Sequence, residues 1–441
     1  MSIPSSSTSA VAAEPPPADL AQQSKLRTLL GAGVGNTLEW YDWSVYAIFA
    51  PFFAAQFFVS DDPTSALLST LAIFAAGFFM RPLGGFFFGW LADRRGRKYA
   101  LTTSMITMAT GSLLIGIAPT HATIGVWAGL VLLIARLIQG LAHGGEIAAS
   151  YTYVAEVAPR ARRGLWSTSV YVSVTAGIVL ASLFGAAFSS IFGEEALTDW
   201  AWRVPFIFGG LLAVVGLWMR RSLQETAAFA GDDAGASHHV TTRTLVRGLV
   251  ENWRSVVRVV GLAGSVTVVY YTWAVGITGF AIANKGVDAT NGLWASVAAN
   301  VVFMVTLPLW GRLSDTYGRK PIFIAYGVAF LVLTFPLMAL VNDSALRLFL
   351  VMSVALFFLG AFVGIMPAFF AELFPTAVRA SGVGAPYSLI VALLGGTAPY
   401  VLTWLHSQDL VWLFSVYMVV LVIMGLITTF LTPETKGIDL R

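Results

Sequence analysis

A succession of long apolar runs constrains this sequence most, because a membrane-spanning helix needs about 20 predominantly apolar residues. Twelve such runs can be distinguished within the 441 residues. Their approximate limits are 29–58, 65–91, 99–119, 123–157, 164–192, 202–220, 256–283, 290–312, 320–341, 346–374, 379–407 and 411–432. A β-barrel is disfavoured because its strands alternate apolar and polar residues and do not form continuous runs. The pattern therefore predicts an all-α membrane protein with twelve transmembrane helices.

The composition is consistent with that prediction and excludes most soluble proteins. Hydrophobic residues make up 57% of the chain and charged residues 11%, whereas soluble domains contain about 25% charged residues. The sequence has no Cys, and its five His residues are scattered without a metal-ligand spacing. We therefore expect neither a metal nor another cofactor, and an intramembrane enzyme is disfavoured.

The positions of Lys and Arg predict the orientation of the helices. Of 26 basic residues, 21 lie at the amino terminus, in even-numbered loops or at the carboxyl terminus. Basic residues accumulate on the cytoplasmic side of membrane proteins, so both termini are predicted to be cytoplasmic. The net charge of +3 then reflects membrane topology, and we expect no binding to nucleic acid.

Two sequence segments recur at about half the chain length. GWLADRRGRK at 89–98 and GRLSDTYGRK at 311–320 match at six of ten positions. The pattern Ala-Glu-x-x-Pro-x-Ala-x-Arg at 155–163 returns at 371–379. Each pair occupies the same relative loop in its half, which indicates that a six-helix unit has been duplicated in parallel.

The chain accordingly divides into four parts. Residues 1–24 are rich in Ser, Ala and Pro and lack basic residues, so we expect a disordered cytoplasmic tail. Residues 25–220 and 256–441 are predicted to form the two six-helix bundles, joined by a cytoplasmic linker at 221–255. Four arginines at helical spacing fall in or beside this linker: Arg243, Arg247, Arg254 and Arg258. They predict an amphipathic helix on the inner leaflet.

The repeated Gly-x-x-x-Asp-x-x-Gly-Arg-Lys loop resembles the signature loop of the major facilitator superfamily. Five further segments are similar to the metabolite:proton symporter family, which includes α-ketoglutarate, citrate, shikimate and proline/betaine permeases. They are GNTLEWYDWSVY (35–46), FMRPLGGFFFGWLADRRGRK (79–98), ARLIQGLAHGGE (135–146), DWAWRVPF (199–206) and RRSLQET (220–226). The resemblance implies a monomeric, multi-pass transporter of the bacterial inner membrane.

The resemblance also implies that charge pairs at the cytoplasmic ends of the helices close that side and break during alternating access. Six residues are candidates for this gate: Asp93, Arg97, Glu156, Asp315, Arg319 and Glu372. Asp93 and Asp315 can accept hydrogen bonds from helix amides or pair with the arginines of their loops. The alternative is a static interfacial ion pair.

Arg81 is the main candidate for binding the substrate. It precedes Asp93 by 12 residues, about 18 Å along a helix, which places it near the middle of the membrane. A guanidinium is a good bidentate receptor for a carboxylate, although permanent pairing with Asp42 is the alternative. Tyr41 and Arg203 are further candidates, and Arg203 could instead anchor the helix at the outer interface.

Glu39, Asp42, Arg136 and Glu146 are candidates for proton coupling. Glu39 and Asp42 are three residues apart and lie on nearly the same helical face. Two close carboxylates in a medium of low dielectric resist simultaneous ionisation, so one can carry a proton near neutral pH. Arg136 resembles the arginine of the Arg-x-x-x-Gly motif that is implicated in proton coupling, and Glu146 follows it by ten residues. Alternatively, one acid pairs with Arg136 only for packing.

Taken together, these residues favour a proton-coupled symporter of a small organic acid such as α-ketoglutarate. Three interior or marginal arginines face three interior acids, so protonation of one acid leaves a net positive site. The expected partners are a small molecule, a proton and the lipid bilayer. Uptake of a zwitterion such as proline or betaine is the alternative, as is another metabolite such as citrate or shikimate.

Overall fold

The computed structural model describes residues 18–95, 97–144, 147–221 and 248–440, without the side chains of 18–32, 92, 93, 97, 98, 101, 147–149, 213–221 and 377. All regular secondary structure in these ranges is helical. The first half contains α1 (Ala18–Phe57), α2 (Pro63–Arg95), α3 (Arg97–Gly116), α4 (Trp127–His143), α5 (Ile147–Val157), α6 (Arg163–Ala196) and α7 (Arg203–Arg221). The second half contains α8 (Trp253–Tyr270), α9 (Ile277–Lys285), α10 (Ala289–Tyr317), α11 (Arg319–Leu340), α12 (Ala345–Val363), α13 (Met366–Glu372), α14 (Arg379–Ile390), α15 (Ala398–Ser407) and α16 (Val411–Leu431).

Eight helical segments of the described chain are long and apolar enough to cross a membrane. They are Pro63–Leu91, Arg160–Ala201, Trp253–Lys285, Ala289–Tyr317, Arg319–Leu340, Ala345–Glu372, Arg379–Ser407 and Val411–Leu431. The other predicted runs also lie mainly on helix, within α1, α3, α4 with α5, and α7.

The amino-terminal prediction requires a correction. Helix α1 begins at Ala18, within the 1–24 range that was predicted to be a disordered tail. The segment after Ala18 is rich in Ala, Leu and Gln, which favour helix even without buried contacts. Residues 1–17 and most of the predicted linker, 222–247, lie outside the described residues, and of the four linker arginines Arg254 and Arg258 lie on α8.

Helices α2 and α4 approach each other through glycines. A Cβ atom at Gly140 would overlap the carbonyl of Gly77, and one at Gly144 would overlap the carbonyl of Arg81. A Cβ at Gly77 would lie 3.1 Å from the Arg136 carbonyl oxygen. Small residues permit such close helix contacts within a membrane. The two helices therefore hold Arg81 and Arg136 in the same part of the first half.

The two halves meet along α6 and α10. At one end a Cβ at Gly164 would lie 2.9 Å from the carbonyl oxygen of Gly311. Ser182 and Ser296 lie 3.3 Å apart between their hydroxyls further along the pair. At the other end the Ser189 hydroxyl is hydrogen-bonded to Thr290. The halves are therefore in contact at both ends of these helices.

Two π-helical turns shape the second half where it faces the first. They span Tyr271–Gly276 and Val391–Gly395. A Cβ at Gly395 would lie 2.7 Å from the Tyr271 ring, and a Cβ at Gly396 would lie 2.6 Å from the Phe78 ring. Such turns recur at functional sites. Here they allow the Tyr271 ring to pack close to α2.

We expect Gly140→Ala to destabilise the first half, because its Cβ overlaps the backbone of Gly77. Overpacking of this kind costs about 1–3 kcal/mol. The measurement is the thermal unfolding temperature of the purified protein in detergent. Gly89→Ala is the matched control, since a Cβ there meets no atom within 4 Å. Equal unfolding temperatures for the two variants would contradict the close approach of α2 and α4.

Candidate functional site

Arg81 is a buried cation whose charge has no counterion in the described part of the chain. Its side chain is 2% exposed, and its guanidinium carbon lies 4.1 Å from the Trp43 ring centroid and 4.2 Å from that of Phe78. None of its three guanidinium nitrogens forms a hydrogen bond of full geometry with a described residue, although the Tyr271 hydroxyl lies within hydrogen-bonding reach. Cation–π contact stabilises the charge in part, but a buried guanidinium remains costly without an anion. An anion bound beside Arg81 would therefore lower this cost.

Arg136 lies against the same indole ring. Its guanidinium carbon is 4.1 Å from the Trp43 centroid and 4.3 Å from the Tyr46 centroid, and its side chain is fully buried. Its Nη1 donates to Gln139 Oε1 at 2.8 Å, and Gln139 Nε2 donates to the Ser112 hydroxyl at 2.6 Å. The Arg136 guanidinium thus has one hydrogen bond, to the neutral amide of Gln139. Its Nε and Nη2 have no hydrogen-bond acceptor among the described residues.

Asp42 lies at the other end of that polar chain. It is 4% exposed and within hydrogen-bonding reach of Ser112. On its far side a Cβ at Gly209 of α7 would overlap the Asp42 Oδ1 atom. Permanent pairing of Asp42 with Arg81 was the alternative, but the two side chains do not form an ion pair in the described part of the chain. Ser112 and Gln139 instead connect Asp42 to Arg136.

Glu39 and Asp42 have different neighbours although they are three residues apart. The Glu39 carboxylate contacts Nδ1 of His143 on α4, and the two form an ion pair when the imidazole is protonated. The His143 ring is fully buried and stacks on Trp43, with centroids 5.0 Å apart and planes inclined by 8°. His143 is thus a member of the site whose role the sequence left undefined. A histidine inside an otherwise apolar and glycine-rich segment was its only sequence signal.

Tyr41 and Arg203, which were predicted to bind substrate, use their polar atoms within the first half. The Tyr41 hydroxyl donates to the Pro205 carbonyl at 2.8 Å. Arg203 Nη1 donates to the carbonyls of Ala118 at 2.7 Å and Gly116 at 3.3 Å. A cation at the carboxyl end of α3 compensates the unpaired carbonyls of that helix. Both side chains are therefore hydrogen-bonded to backbone carbonyls, and Glu146 lies outside the described residues.

The predicted gate residue Asp315 joins the two halves. Its carboxylate oxygens accept the backbone N–H groups of Gly164 at 2.8 Å and Leu165 at 2.9 Å, at the amino end of α6. Arg319 Nη1 donates to the same carboxylate at 2.9 Å. Free amides at a helix amino terminus favour an anion. Asp315 of the second half thus stabilises the end of a first-half helix.

Two further ion pairs cross between the halves with exchanged partners. Arg163 Nη1 donates to Glu372 at 3.0 Å, and Arg379 Nη1 donates to Glu156 at 2.6 Å. In each half the arginine Nε also donates to the backbone carbonyl eight residues earlier. The four residues occupy equivalent positions of the repeated Ala-Glu-x-x-Pro-x-Ala-x-Arg segment. Each half therefore supplies the acid for the other half's arginine.

Arg163 and Arg379 were absent from the predicted gate, although the repeat contains both. Their recurrence at the end of the same nine-residue pattern was the available signal. Arg319, which was predicted, also donates to Glu372, at 3.2 Å from Nη2. The side chains of Asp93 and Arg97 lie outside the described residues. We use "gate cluster" below for one set of residues: Glu156, Arg163, Asp315, Arg319, Glu372 and Arg379.

The carboxyl-terminal segment covers the gate cluster. Glu434 accepts the backbone N–H groups of Arg319 at 2.9 Å and Lys320 at 3.0 Å, at the start of α11. Partial burial raises the pKa of the Glu434 carboxyl, but backbone donors outweigh it and hold the pKa below its usual value. On the first half, Arg160 Nη1 lies 2.9 Å from Asp439 Oδ1. The segment therefore contacts both halves.

Two related helical halves, with a buried cation near their interface and ion pairs between them at one end, are typical of a secondary active transporter. The chain belongs to the Sugar (and other) transporter family, which matches residues 28–441. Resemblance to the major facilitator superfamily and its metabolite:proton symporters is thereby confirmed. The protein is a transporter and not an enzyme, and it is a multi-pass protein of the bacterial inner membrane.

Relatives agree on transport and differ in their substrates. The chain is 36% identical over 422 residues to the alpha-ketoglutarate permease of Escherichia coli (strain K12), covering 94% of this chain and 96% of that protein. It is 32% identical over 431 residues to the proline/betaine transporter of Salmonella typhimurium (strain LT2), and the match covers 95% of this chain and 85% of that protein. The chain therefore belongs among the proton-coupled symporters of the superfamily.

A solved structure supports the fold. The MFS proton:xylose symporter XylE bound to 6-bromo-6-deoxy-D-glucose has a TM-score of 0.69 to this chain at 19% sequence identity. The match covers 95% of this chain and 98% of that one. At this identity the likeness establishes the major facilitator fold, and it leaves the substrate open.

We expect Asp315→Ala to open the gate, because it removes the acceptor of two backbone donors and Arg319. Hydrogen bonds to a charged group contribute about 1.5–3 kcal/mol each, so the closed population should fall by more than about tenfold. The measurement is the distance between spin labels at Tyr99→Cys and Tyr317→Cys, in a sequence that has no native Cys.

The control is Asp343→Ala, which removes an exposed carboxylate from the loop before α12. Its label distances should match those of the unmodified chain. If Asp315→Ala gives that same distribution, the carboxylate does not hold the halves together.

Proposed function

We propose that the protein is a proton-coupled symporter of a small organic acid, α-ketoglutarate or a similar carboxylate, that works by alternating access. The single observation that carries the proposal is Arg81, a buried guanidinium without a carboxylate partner in the described chain. A carboxylate is the anion that a guanidinium binds in bidentate geometry. The 36% identical alpha-ketoglutarate permease supports the same class of substrate.

The proposed topology follows from the apolar runs and the basic residues. Twelve transmembrane helices form two six-helix bundles, at 25–220 and 256–441, and both termini are cytoplasmic. The gate cluster then closes the cytoplasmic side. The Arg163–Glu372 pair is buried, whereas Glu156 is 42% exposed. Because breaking a buried ion pair costs about 3–5 kcal/mol, opening this side requires that the Arg163–Glu372 pair becomes hydrated. We propose that a monomer carries out the cycle within the bilayer.

The proton is proposed to enter through Asp42 and Glu39, with Arg136 as the partner of Asp42. The Asp42 carboxylate is buried, and its hydrogen-bonded connection to the guanidinium runs through Ser112 and Gln139. An acid in this position interacts weakly enough with its partner to exchange a proton during the cycle. Protonation leaves the guanidinium charge uncompensated and so favours an anion nearby.

Uptake of a zwitterion is the second candidate, and the 32% identical proline/betaine transporter supports it. Such a substrate needs a carboxylate for its cationic group. Glu39 contacts His143 and Asp42 belongs to the Ser112 chain. Binding of a substrate cation would therefore require one acid to leave its present partner, whereas Arg81 is already available to an anion.

Arg81→Ala should abolish saturable carboxylate uptake in proteoliposomes. Loss of a buried charge-assisted interaction costs about 2–5 kcal/mol, which corresponds to at least about a 30-fold decrease in kcat/KM. Arg81→Lys should recover only part of it, because an ammonium lacks the planar fork. The matched control is Arg347→Ala at an exposed position near the start of α12. Unchanged α-ketoglutarate uptake by Arg81→Ala would refute the assignment.

Asp42→Asn should separate transport from the proton gradient. The amide keeps the size of the side chain but cannot release a proton, so exchange of labelled for unlabelled substrate continues. Accumulation driven by an imposed pH gradient should fall at least about tenfold. Both are measured in the same proteoliposomes. Gradient-driven accumulation equal to that of the unmodified chain would remove Asp42 from the proton pathway.

A further inference from the structure

Three tyrosine hydroxyls meet where the two halves face each other. Those of Tyr151 and Tyr171 lie 2.9 Å apart. The hydroxyl of Tyr387 is 3.4 Å from that of Tyr171 and 3.5 Å from that of Tyr151. All three side chains are buried. Tyr151 lies on α5 and Tyr171 on α6 of the first half, whereas Tyr387 lies on α14 of the second.

A fourth tyrosine extends this group towards α8. The Tyr270 ring packs edge-on against Tyr171, with centroids 5.8 Å apart, and its side chain is 5% exposed. Its hydroxyl has no hydrogen-bond partner among the described residues. Buried hydroxyls are almost always satisfied, and one that is not calls for an explanation. A ligand oxygen would supply the missing partner.

This tyrosine group is continuous with the surroundings of Arg81. The Phe78 ring lies under the Arg81 guanidinium and 5.1 Å from the Tyr271 ring, which in turn is 5.4 Å from Tyr270. Tyr270 and Tyr271 both lie within electrostatic range of the guanidinium. The first half thus presents an unpaired cation and the second half an unpaired hydroxyl to the same aromatic wall.

We propose that Tyr151, Tyr171, Tyr270 and Tyr387 form a second, uncharged subsite that takes the distal carboxylate of a dicarboxylate whose other carboxylate binds Arg81. The inference rests on the proposed function. A phenol hydroxyl donates one hydrogen bond, so several hydroxyls bind a carboxylate without a second cation. The subsite also has no carboxylate side chain that would attract a substrate amine. It therefore favours a dicarboxylate, which has a hydrogen-bond acceptor at each end, over a zwitterion.

The subsite also connects binding to movement of the halves. Arg81, Tyr151 and Tyr171 belong to the first half, and Tyr270 and Tyr387 belong to the second. A dicarboxylate held at both ends therefore contacts both halves at once. A monocarboxylate of the same length contacts Arg81 but places a methyl group against the hydroxyls, which leaves that of Tyr270 unsatisfied.

The test compares Tyr270→Phe and Tyr387→Phe with the unmodified chain in proteoliposomes. Uptake of labelled α-ketoglutarate gives its KM, and inhibition by glutarate and by valerate compares a dicarboxylate with a monocarboxylate of equal length. Loss of a hydrogen bond to a charged group predicts about a tenfold rise in the KM of α-ketoglutarate and the Ki of glutarate. The Ki of valerate should change less than about twofold.

Tyr326→Phe is the matched control, because that tyrosine is also buried and its hydroxyl donates to the Ser265 carbonyl at 2.8 Å, away from Arg81. Its inhibition constants should match those of the unmodified chain. Equal weakening of glutarate and valerate by Tyr270→Phe, or no weakening of either, would overturn the subsite. A different result would contradict the proposed function itself, namely uptake of betaine and of no carboxylate by the unmodified chain.

Discussion

The arrangement of the interior depends on two guanidinium groups held against one tryptophan. Arg81 and Arg136 both lie 4.1 Å from the Trp43 ring centroid, and the His143 ring stacks on the same indole. Like charges in a medium of low dielectric repel strongly, so this geometry is maintained only because α2 and α4 are fixed by backbone contacts at their glycines. The aromatic faces offset part of the repulsion. An anion would offset much of the remainder.

In the gate cluster, at one end of the bundles, every buried charge has a partner of opposite sign, unlike Arg81 at the centre. Its acids and arginines are paired across the halves, and the pairs repeat the internal symmetry of the chain. Asp315 also accepts two backbone N–H groups at the amino terminus of α6, and these hydrogen bonds must break when the halves separate at this end. The centre and the gate are connected through α6, which carries Gly164 at its amino end and Tyr171 further along. A ligand that contacts both halves at the centre therefore acts on the helices that also form the gate.

Much of the fold was predictable because its signals are local. Apolar runs of membrane length specify helices wherever they occur, and the duplicated loops specify two related halves. The positions of Asp315, Arg319, Glu156 and Glu372 at repeated helix ends were predictable because charges there stand out from an apolar background. Their gating role stays a prediction. Substrate binding by Tyr41 and Arg203 stays a prediction, but their hydrogen bonds to backbone carbonyls of other helices could not be predicted. No residue pattern records such contacts.

The sequence by itself determined the class of protein, the number of apolar runs, the internal repeat and the few charges that stay inside the membrane. It did so because the cost of burying a charge or leaving a backbone group unsatisfied in lipid is high at any single position. Only the tertiary structure decided the partners: Glu39 with His143, Arg163 with Glu372, and Tyr387 with Tyr151 and Tyr171. These pairs depend on how helices that are far apart in the chain are rotated and how closely they approach. Helix packing determines both, whereas residue spacing along one helix determines neither.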